Sequence, residues 1–87
     1  MRESKIEKHL AKRVEELGGE CRKLRWIGRR GAPDRLVMLP GLTCFVELKA
    51  PGEVPEPHQA REHERMRRMG QRVEVIDSIE GVEELLK

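Results

Sequence analysis

Two short apolar runs that meet at Pro40-Gly41 restrict the fold of this chain more than any other feature. The runs "DRLVMLP" and "LTCFVELKA" are rich in residues that favour β-strands, and Pro-Gly is a typical turn pair. We therefore predict a β-hairpin whose turn lies at this hinge. Each strand carries an acidic residue at the end away from the turn, Asp34 in the first and Glu47 in the second.

The register of this hairpin decides which side chains meet. Symmetric pairing about the hinge places Leu36 opposite Phe45 and Asp34 opposite Glu47. Proline cannot adopt the positive φ of a type I′ turn, so we expect a loop of more than two residues. An even, symmetric loop keeps this register, whereas a bulge or an odd loop would shift it.

The facing acids predict a cation between them. Like charges directly opposite each other on a sheet, about 5 Å apart, are destabilising. Strand alternation places Lys49 on the same face as Glu47 and diagonal to Asp34, but one ammonium neutralises only one carboxylate. Hard divalent cations prefer oxygen ligands of this kind. We therefore predict a metal site with an ammonium beside it.

The rest of the chain predicts helices around this hairpin. Apolar residues recur at helical spacing near the amino terminus, which predicts a helix from about Glu3 to Leu17, ended by Gly18-Gly19. A helix between the third and fourth strands is the usual crossover to a parallel neighbour, so we predict an α/β fold with a four-stranded mixed sheet flanked by helices. The other predicted elements are a strand in "ECRKLRWI", a helix from Pro57 to Met69 closed by Gly70, a strand in "RVEVID" and a short helix in "SIEGVEELLK".

The composition indicates one small domain over residues 1–87. Charged residues make up 39% of the chain against about 25% in typical domains, so a thin core should lie beneath a charged surface. The net charge of +2 is too small to indicate a polyanionic partner by itself. Cys21 and Cys44 stand apart, without the spacing of a zinc site, and indicate small buried hydrophobic residues. No stretch is long enough to span a membrane, and we expect a reducing cytoplasm.

A local basic cluster precedes and follows Asp34, which is the only acid in "CRKLRWIGRRGAPDR". Basic side chains of this kind bind phosphates, and Trp26 could stack on a base or wedge at a junction. A core position is the other interpretation of Trp26, since the chain has only one other aromatic residue, Phe45. The basic residues of the cluster are Arg22, Lys23, Arg25, Arg29, Arg30 and Arg35.

The first helix offers a further acid. Glu3 falls in the middle of the apolar stripe that contains Ile6 and Leu10, where a carboxylate needs a reason. One interpretation is a functional role, and the other is a first helical turn that extends past the core, where Glu favours the positive end of the helix dipole. Glu7 lies near the edge of the same stripe and could take the place of Glu3.

The second helix offers Gln59, which shares a face with His63 and Met66 and is therefore predicted to point inward. A surface position is the alternative. For His63, as for His9 and His58, no partner is evident from the sequence, and we predict surface or packing roles for all three.

These residues together resemble a minimal VRR-NUC domain of the PD-(D/E)xK nuclease superfamily, over nearly all of the chain. The resemblance rests on a first helix that begins with Glu3, on "GAPDRLV" with Asp34, on "FVELKAP" with Glu47-Leu48-Lys49, and on Gln59 in the next helix. It implies a restriction-endonuclease-like αβββαβ core, which matches the predicted order of elements.

The resemblance also implies a set of metal ligands. Asp34 and Glu47 would ligate Mg²⁺ or Mn²⁺, with the backbone carbonyl of Leu48 as a third ligand. Glu3 would hold a metal-bound water or a second ion. Such a centre suits phosphodiester hydrolysis, because a divalent ion stabilises the charge that builds on the phosphate and lowers the pKa of its bound water.

The implied roles extend to an amine, an amide and a substrate. Lys49 would orient or help to deprotonate the attacking water, and Gln59 would support the site from the helix. The expected activity is that of an endonuclease on DNA, with Holliday junctions as one candidate substrate and a homodimer as the expected assembly, in a phage or bacterial setting. The competing hypothesis is a non-catalytic nucleic-acid-binding module that uses the basic segment from Arg22 to Arg35.

Overall fold

Three helices and four strands follow one another in the predicted order. The computed structural model describes residues 1–87. It confirms an α/β fold with a four-stranded mixed sheet flanked by helices. The elements are α1 (Glu3–Glu16), β1 (Glu20–Lys23), β2 (Arg35–Leu39), β3 (Leu42–Leu48), α2 (Pro57–Arg68), β4 (Val73–Ile76) and α3 (Ile79–Leu85).

The sheet has the strand order β1-β2-β3-β4, so neighbours in the sequence are neighbours in the sheet. β1, β2 and β3 form an antiparallel meander, and β4 lies parallel to β3. α2 makes the crossover that a parallel pair requires. Because β3 is flanked on both sides, its last residues lie in the middle of the sheet.

The hairpin turn corrects one prediction. Leu39 pairs with Leu42, so the loop consists of Pro40 and Gly41 alone, and the expectation of a longer loop was wrong. A type II turn takes proline at its first central position and a positive φ at its second, and Gly41 has a φ of 79°. The predicted register is confirmed, since Leu36 pairs with Phe45.

The main core lies on one face of the sheet, between the strands and the pair α1 and α3. Strand alternation directs every second residue of β2 and β3 to this face and leaves the other face to α2. On α2, His63 and Met66 are buried, and both lie on the helix face that was predicted to point inward. The core cluster consists of Ile6, Leu10, Val14, Val37, Cys44, Val46, Leu48, Ile76, Val82 and Leu85.

The first strand is shorter than predicted and ends at Lys23. The backbone N–H of Leu24 still donates to the carbonyl of Asp34, at 3.0 Å. Beyond that bond the chain leaves the sheet and returns at Asp34. We call residues 25–33 the basic loop. None of the three helices has the length and apolar character needed to cross a membrane.

Candidate active site

The carboxylate of Glu47 is buried at the carboxyl end of β3. The residue is 1% exposed, although it is ionisable, because β2 and β4 flank it and α2 covers its face of the sheet. Burial and then the negative charge of Asp34 raise the pKa of Glu47, Lys49 opposes them, and the resulting pKa is about 7. A buried carboxylate with a strongly raised pKa is typical of a functional site.

Asp34 lies one step beyond the last pair of the hairpin, Arg35 with Val46, and therefore opposite Glu47. Its Oδ2 atom accepts a hydrogen bond of 2.8 Å from the backbone N–H of Leu48. This bond fixes the Asp34 carboxylate against the end of β3, beside Glu47. The two acids that the sequence placed opposite each other are thus neighbours.

Lys49 holds its ammonium between the sheet and α2. Its Nζ lies 3.5 Å from Oε2 of Glu47 and donates to Oε1 of Gln59 at 3.1 Å. The same oxygen of Gln59 accepts from the backbone N–H of Glu56 at 2.8 Å, as part of the capping box that begins α2. The start of α2 therefore positions Gln59, and Gln59 positions Lys49.

His63 belongs to this site, although the sequence predicted only a surface or packing role for it. It lies one helical turn after Gln59 and is 1% exposed. Its Nε2 is 3.9 Å from Oε1 of Glu47, and neither atom has a hydrogen-bond partner. Burial, and then the charge of Arg67, lowers the pKa of His63 and favours the neutral ring. The spacing of four residues from Gln59 was the signal in the sequence.

Glu3 and Glu7 have different surroundings. Glu3 is the first residue of α1 and is exposed, and its charge contributes to the raised pKa of Glu47. Glu7 bonds through Oε1 to Nη2 of Arg35. Of these two acids of α1, Glu3 therefore forms no ion pair and acts on Glu47, whereas Glu7 is paired with Arg35.

The donor atoms at this end of the hairpin suit a hard cation. Asp34 and Glu47 supply carboxylate oxygens, and the carbonyl of Leu48 is adjacent. The Oε1 atom of Glu47 is buried without a donor, which ordinarily indicates a catalytic role, a water or an ion. No three His, Cys, Asp or Glu side chains in residues 1–87 converge as a complete metal centre. The oxygens of Asp34 and Glu47 are donors of the kind that Mg²⁺ accepts, since Mg²⁺ in proteins binds through one or two carboxylates and completes its shell with water and substrate oxygens.

The basic loop is fixed to α2 by one buried acid. The side chain of Glu62 is 7% exposed and accepts from Nε1 of Trp26 at 2.8 Å and from Nε of Arg65 at 3.0 Å. Nη2 of Arg29 lies 3.1 Å from the same carboxylate. Burial alone would raise the pKa of Glu62, but these hydrogen bonds and positive charges lower it. Nothing in the amino-acid pattern pointed to Glu62, which lies in the charged stretch "REHER".

Trp26 does not lie in the core, and its predicted contact with a DNA base stays a prediction. It is half-buried rather than part of the core, and its indole N–H is engaged by Glu62. Its ring is therefore an anchor of the loop on α2.

The basic residues differ in how freely they could meet phosphate. Lys23 and Arg25 are exposed and form no ion pair, whereas exposed Arg22 pairs with Glu20 at 2.6 Å. Nη2 of Arg30 lies 3.5 Å from Nδ1 of His58, at the surface. A positive surface therefore extends from the end of β1 along the basic loop.

Arg35 differs from the rest of the predicted basic cluster. It follows Asp34 in the chain and therefore points to the opposite face of β2, where its side chain is 12% exposed and pairs with Glu7. It stabilises the contact between α1 and the sheet. We therefore leave Arg35 out of the proposed nucleic-acid surface.

Comparison with known proteins gives two extensive likenesses. A protein named "Putative nuclease p44", from Acyrthosiphon pisum secondary endosymbiont phage 1, is 54% identical over 79 residues, which are 90% of this chain and 85% of that protein. A solved structure described as "VRR_NUC domain" has 45% sequence identity and a TM-score of 0.90, and the match covers 99% of this chain and 96% of the other. No family model matches the chain. The structural likeness spans the sheet and its flanking helices together.

Proposed function

The chain belongs to the VRR-NUC nuclease domains, and from this premise we propose that it is a divalent-metal-dependent endonuclease that hydrolyses phosphodiester bonds in DNA. One observation carries the proposal. Glu47 is a buried carboxylate opposite Asp34 and beside Lys49, and its Oε1 has no donor. A buried acid without a full set of partners costs stability, so its position favours a role in binding or chemistry.

Asp34, Glu47 and the carbonyl of Leu48 are the groups that would hold Mg²⁺ or Mn²⁺. A cation bound there stabilises negative charge on the phosphate and makes a water molecule more acidic. Asp34 is already fixed by its bond to the Leu48 N–H, which leaves its second oxygen for a ligand. The protein thus offers oxygen donors where the two central strands, β2 and β3, meet at one end of the sheet.

Lys49 acts on the charge of the substrate. Its ammonium is held by Glu47 and Gln59, so it needs little reorganisation to donate to a phosphate oxygen or to the attacking water. Gln59 acts through Lys49 and is a positioning residue. Glu3, at the rim, orients water on the side of the site away from α2.

Cleavage assays with matched variants test this proposal. Linear, flap and four-way-junction DNA are incubated with Mg²⁺ or Mn²⁺ and with wild type, Asp34→Asn, Glu47→Gln or Lys49→Met. We expect each variant to lose at least about a hundredfold in rate, and Glu15→Gln, on an exposed position of α1, to cut like wild type. DNA binding by Asp34→Asn should persist. Cutting by Asp34→Asn and Glu47→Gln at the wild-type rate would overturn the proposal.

A second candidate function is a DNA-binding module without catalysis. The exposed, unpaired Lys23 and Arg25 favour it, because they could bind phosphate whether or not Asp34 and Glu47 take part in chemistry. Binding of all three DNA forms without any cutting, in either metal, would support this function and contradict the nuclease.

We extend the proposal to branched DNA and to a homodimer. Resolution of a four-way junction needs two cuts, and a two-fold pair of chains supplies two equivalent sites. Sedimentation of the free protein should give a dimer, and paired nicks should appear in the same junction molecule. A monomer that cuts linear DNA and junctions at equal rates would contradict this extension.

A further inference from the structure

The tip of the basic loop carries an exposed apolar side chain, and we propose that this side chain, Ile27, is a wedge that enters a base step of the bound DNA. The inference rests on the proposed function, since it concerns the DNA that lies in the same site. Ile27 is 93% exposed, more than any other large apolar residue of the chain. A wedge of this kind favours distorted or branched duplex DNA as the substrate, because its base steps open easily.

The loop presents Ile27 from a fixed base. Trp26 on one side and Arg29 on the other both reach the buried carboxylate of Glu62. Gly31, with a φ of 94°, packs so closely on α2 that a Cβ there would lie 2.9 Å from the carbonyl of His58. The exposure of Ile27 therefore belongs to an anchored loop, and wedges work only when the protein holds them rigidly.

The charges around Ile27 select nucleic acid as the partner. Arg25 and Arg30 are exposed on the same loop, and neither forms an ion pair with an acid. An apolar side chain among guanidinium groups matches a duplex, in which phosphates line the outside and base stacks lie between them. A stable protein interface would instead bury about 800 Å² of surface on each partner, far more than one isoleucine side chain supplies.

The base of the loop lies at the proposed site of chemistry. The last bond before the loop joins the N–H of Leu24 to the carbonyl of Asp34, so the loop opens directly at a proposed metal ligand. The wedge requires that the DNA in contact with the tip also pass Asp34 and Glu47. A base step opened by Ile27 would bend the DNA backbone near the phosphodiester bond to be cut.

Fluorescence of 2-aminopurine, which rises when the base leaves the stack, tests the wedge. The probe is placed in turn at successive steps of a short duplex and at the branch point of a four-way junction, in metal-free buffer that prevents cutting. Wild type should raise the fluorescence at one step. Ile27→Ala should lose most of that rise and bind the DNA about tenfold more weakly, whereas Ile27→Met should keep both. Leu17→Ala serves as the matched control, because Leu17 is an exposed apolar residue at the end of α1.

The wedge and the nuclease fail in different ways. Cleavage by wild type with an unchanged fluorescence signal, or a full signal from Ile27→Ala, would overturn the wedge and leave the nuclease. A fluorescence rise that depends on Ile27, without cutting in any metal, would support the wedge and overturn the nuclease. If Ile27→Ala opened the step normally but sedimented as a smaller species, Ile27 would lie between copies of the chain, and the wedge would again be overturned.

Discussion

The Nε2 atom of His63 lies 3.9 Å from Oε1 of Glu47, and both atoms are buried without a hydrogen-bond partner. The pKa of His63 is lowered, so the ring favours its neutral form and does not supply a compensating charge. Lys49 approaches the other oxygen of Glu47. The carboxylate therefore keeps one oxygen for a ligand, which is the basis of the proposed metal site.

The stability of the metal-free protein should depend on the protonation of Glu47. Burial, and then the charge of Asp34, raises the pKa of Glu47 from about 4.5 when unfolded to about 7 in the folded chain. The folded state thus binds this proton more tightly, and the resulting stability is complete below about pH 4.5 and is lost as the pH rises through 7.

Urea unfolding at about pH 5 and about pH 8 measures this effect as the difference between wild type and Glu47→Gln. Comparing the two proteins also removes most of the contribution of His63, since this residue is present in both. The lowered pKa of His63 makes its contribution to stability rise with pH, opposite to that of Glu47. We expect Glu47→Gln to lose less stability than wild type over this range. An equal loss in both proteins would show that Glu47 is ionised in the folded state throughout.

Replacement of His63 should separate stability from function. His63→Leu fills a similar volume and removes an unsatisfied polar atom, so the free energy of unfolding should stay within about 1 kcal/mol of wild type or rise. Cleavage should fall by about tenfold, because Glu47 loses the ring that limits its position. His63→Gln, which can bond to Glu47, should recover part of the rate. Cleavage by His63→Leu at the wild-type rate contradicts the positioning role.

Loss of the Glu62 carboxylate should release the basic loop. Glu62→Ala removes the acceptor of Trp26, Arg29 and Arg65 and should cost about 1–2 kcal/mol, since the freed guanidinium groups can reach solvent. Trp26 is the one tryptophan of the chain, so its fluorescence should shift to longer wavelength and become easier to quench with acrylamide. Glu64→Ala, at an exposed position of α2, is the control. An unchanged Trp26 spectrum in Glu62→Ala would argue against the anchor.

The salt dependence of DNA binding should distinguish two arginines that the sequence grouped together. Arg25→Gln removes an exposed charge of the basic loop and should reduce the slope of log K against log salt by about 1. Arg35→Gln should leave the slope unchanged, because Arg35 is paired with Glu7 on the other face of β2. A reduced slope for Arg35→Gln would return Arg35 to the nucleic-acid surface.

The sequence predicted what depends on local periodicity. Strand alternation and the Pro40-Gly41 hinge were enough to place Asp34 opposite Glu47, although the turn type was missed because only type I′ was considered. Periodicity put His63 on the inward face of α2 with Gln59, but it gave no role to Glu62 and no partner to either residue. Their partners are set by how α2 docks on the sheet and on the basic loop, and that docking depends on contacts between distant parts of the chain.

The structure also separated Glu3 from Glu7, which helical spacing alone left as alternatives. The distinction follows from the ion pair between Glu7 and Arg35, residues 28 positions apart in the chain. Such long-range pairs leave no periodic signal. The part of the site built on the hairpin and the inward position of Gln59 were therefore predictable, whereas the partners of Glu62 and His63 and the anchoring of the basic loop were not.

The most direct test of the metal site is a crystal soaked in Mn²⁺ and measured for anomalous scattering. We predict an anomalous peak from a Mn²⁺ ion within bonding distance of carboxylate oxygens of Asp34 and Glu47 and of the carbonyl oxygen of Leu48. Crystals of Asp34→Asn under the same conditions should show no peak. Saturating Mn²⁺ with no peak between Asp34 and Glu47, in a protein that still cuts DNA, would contradict the account.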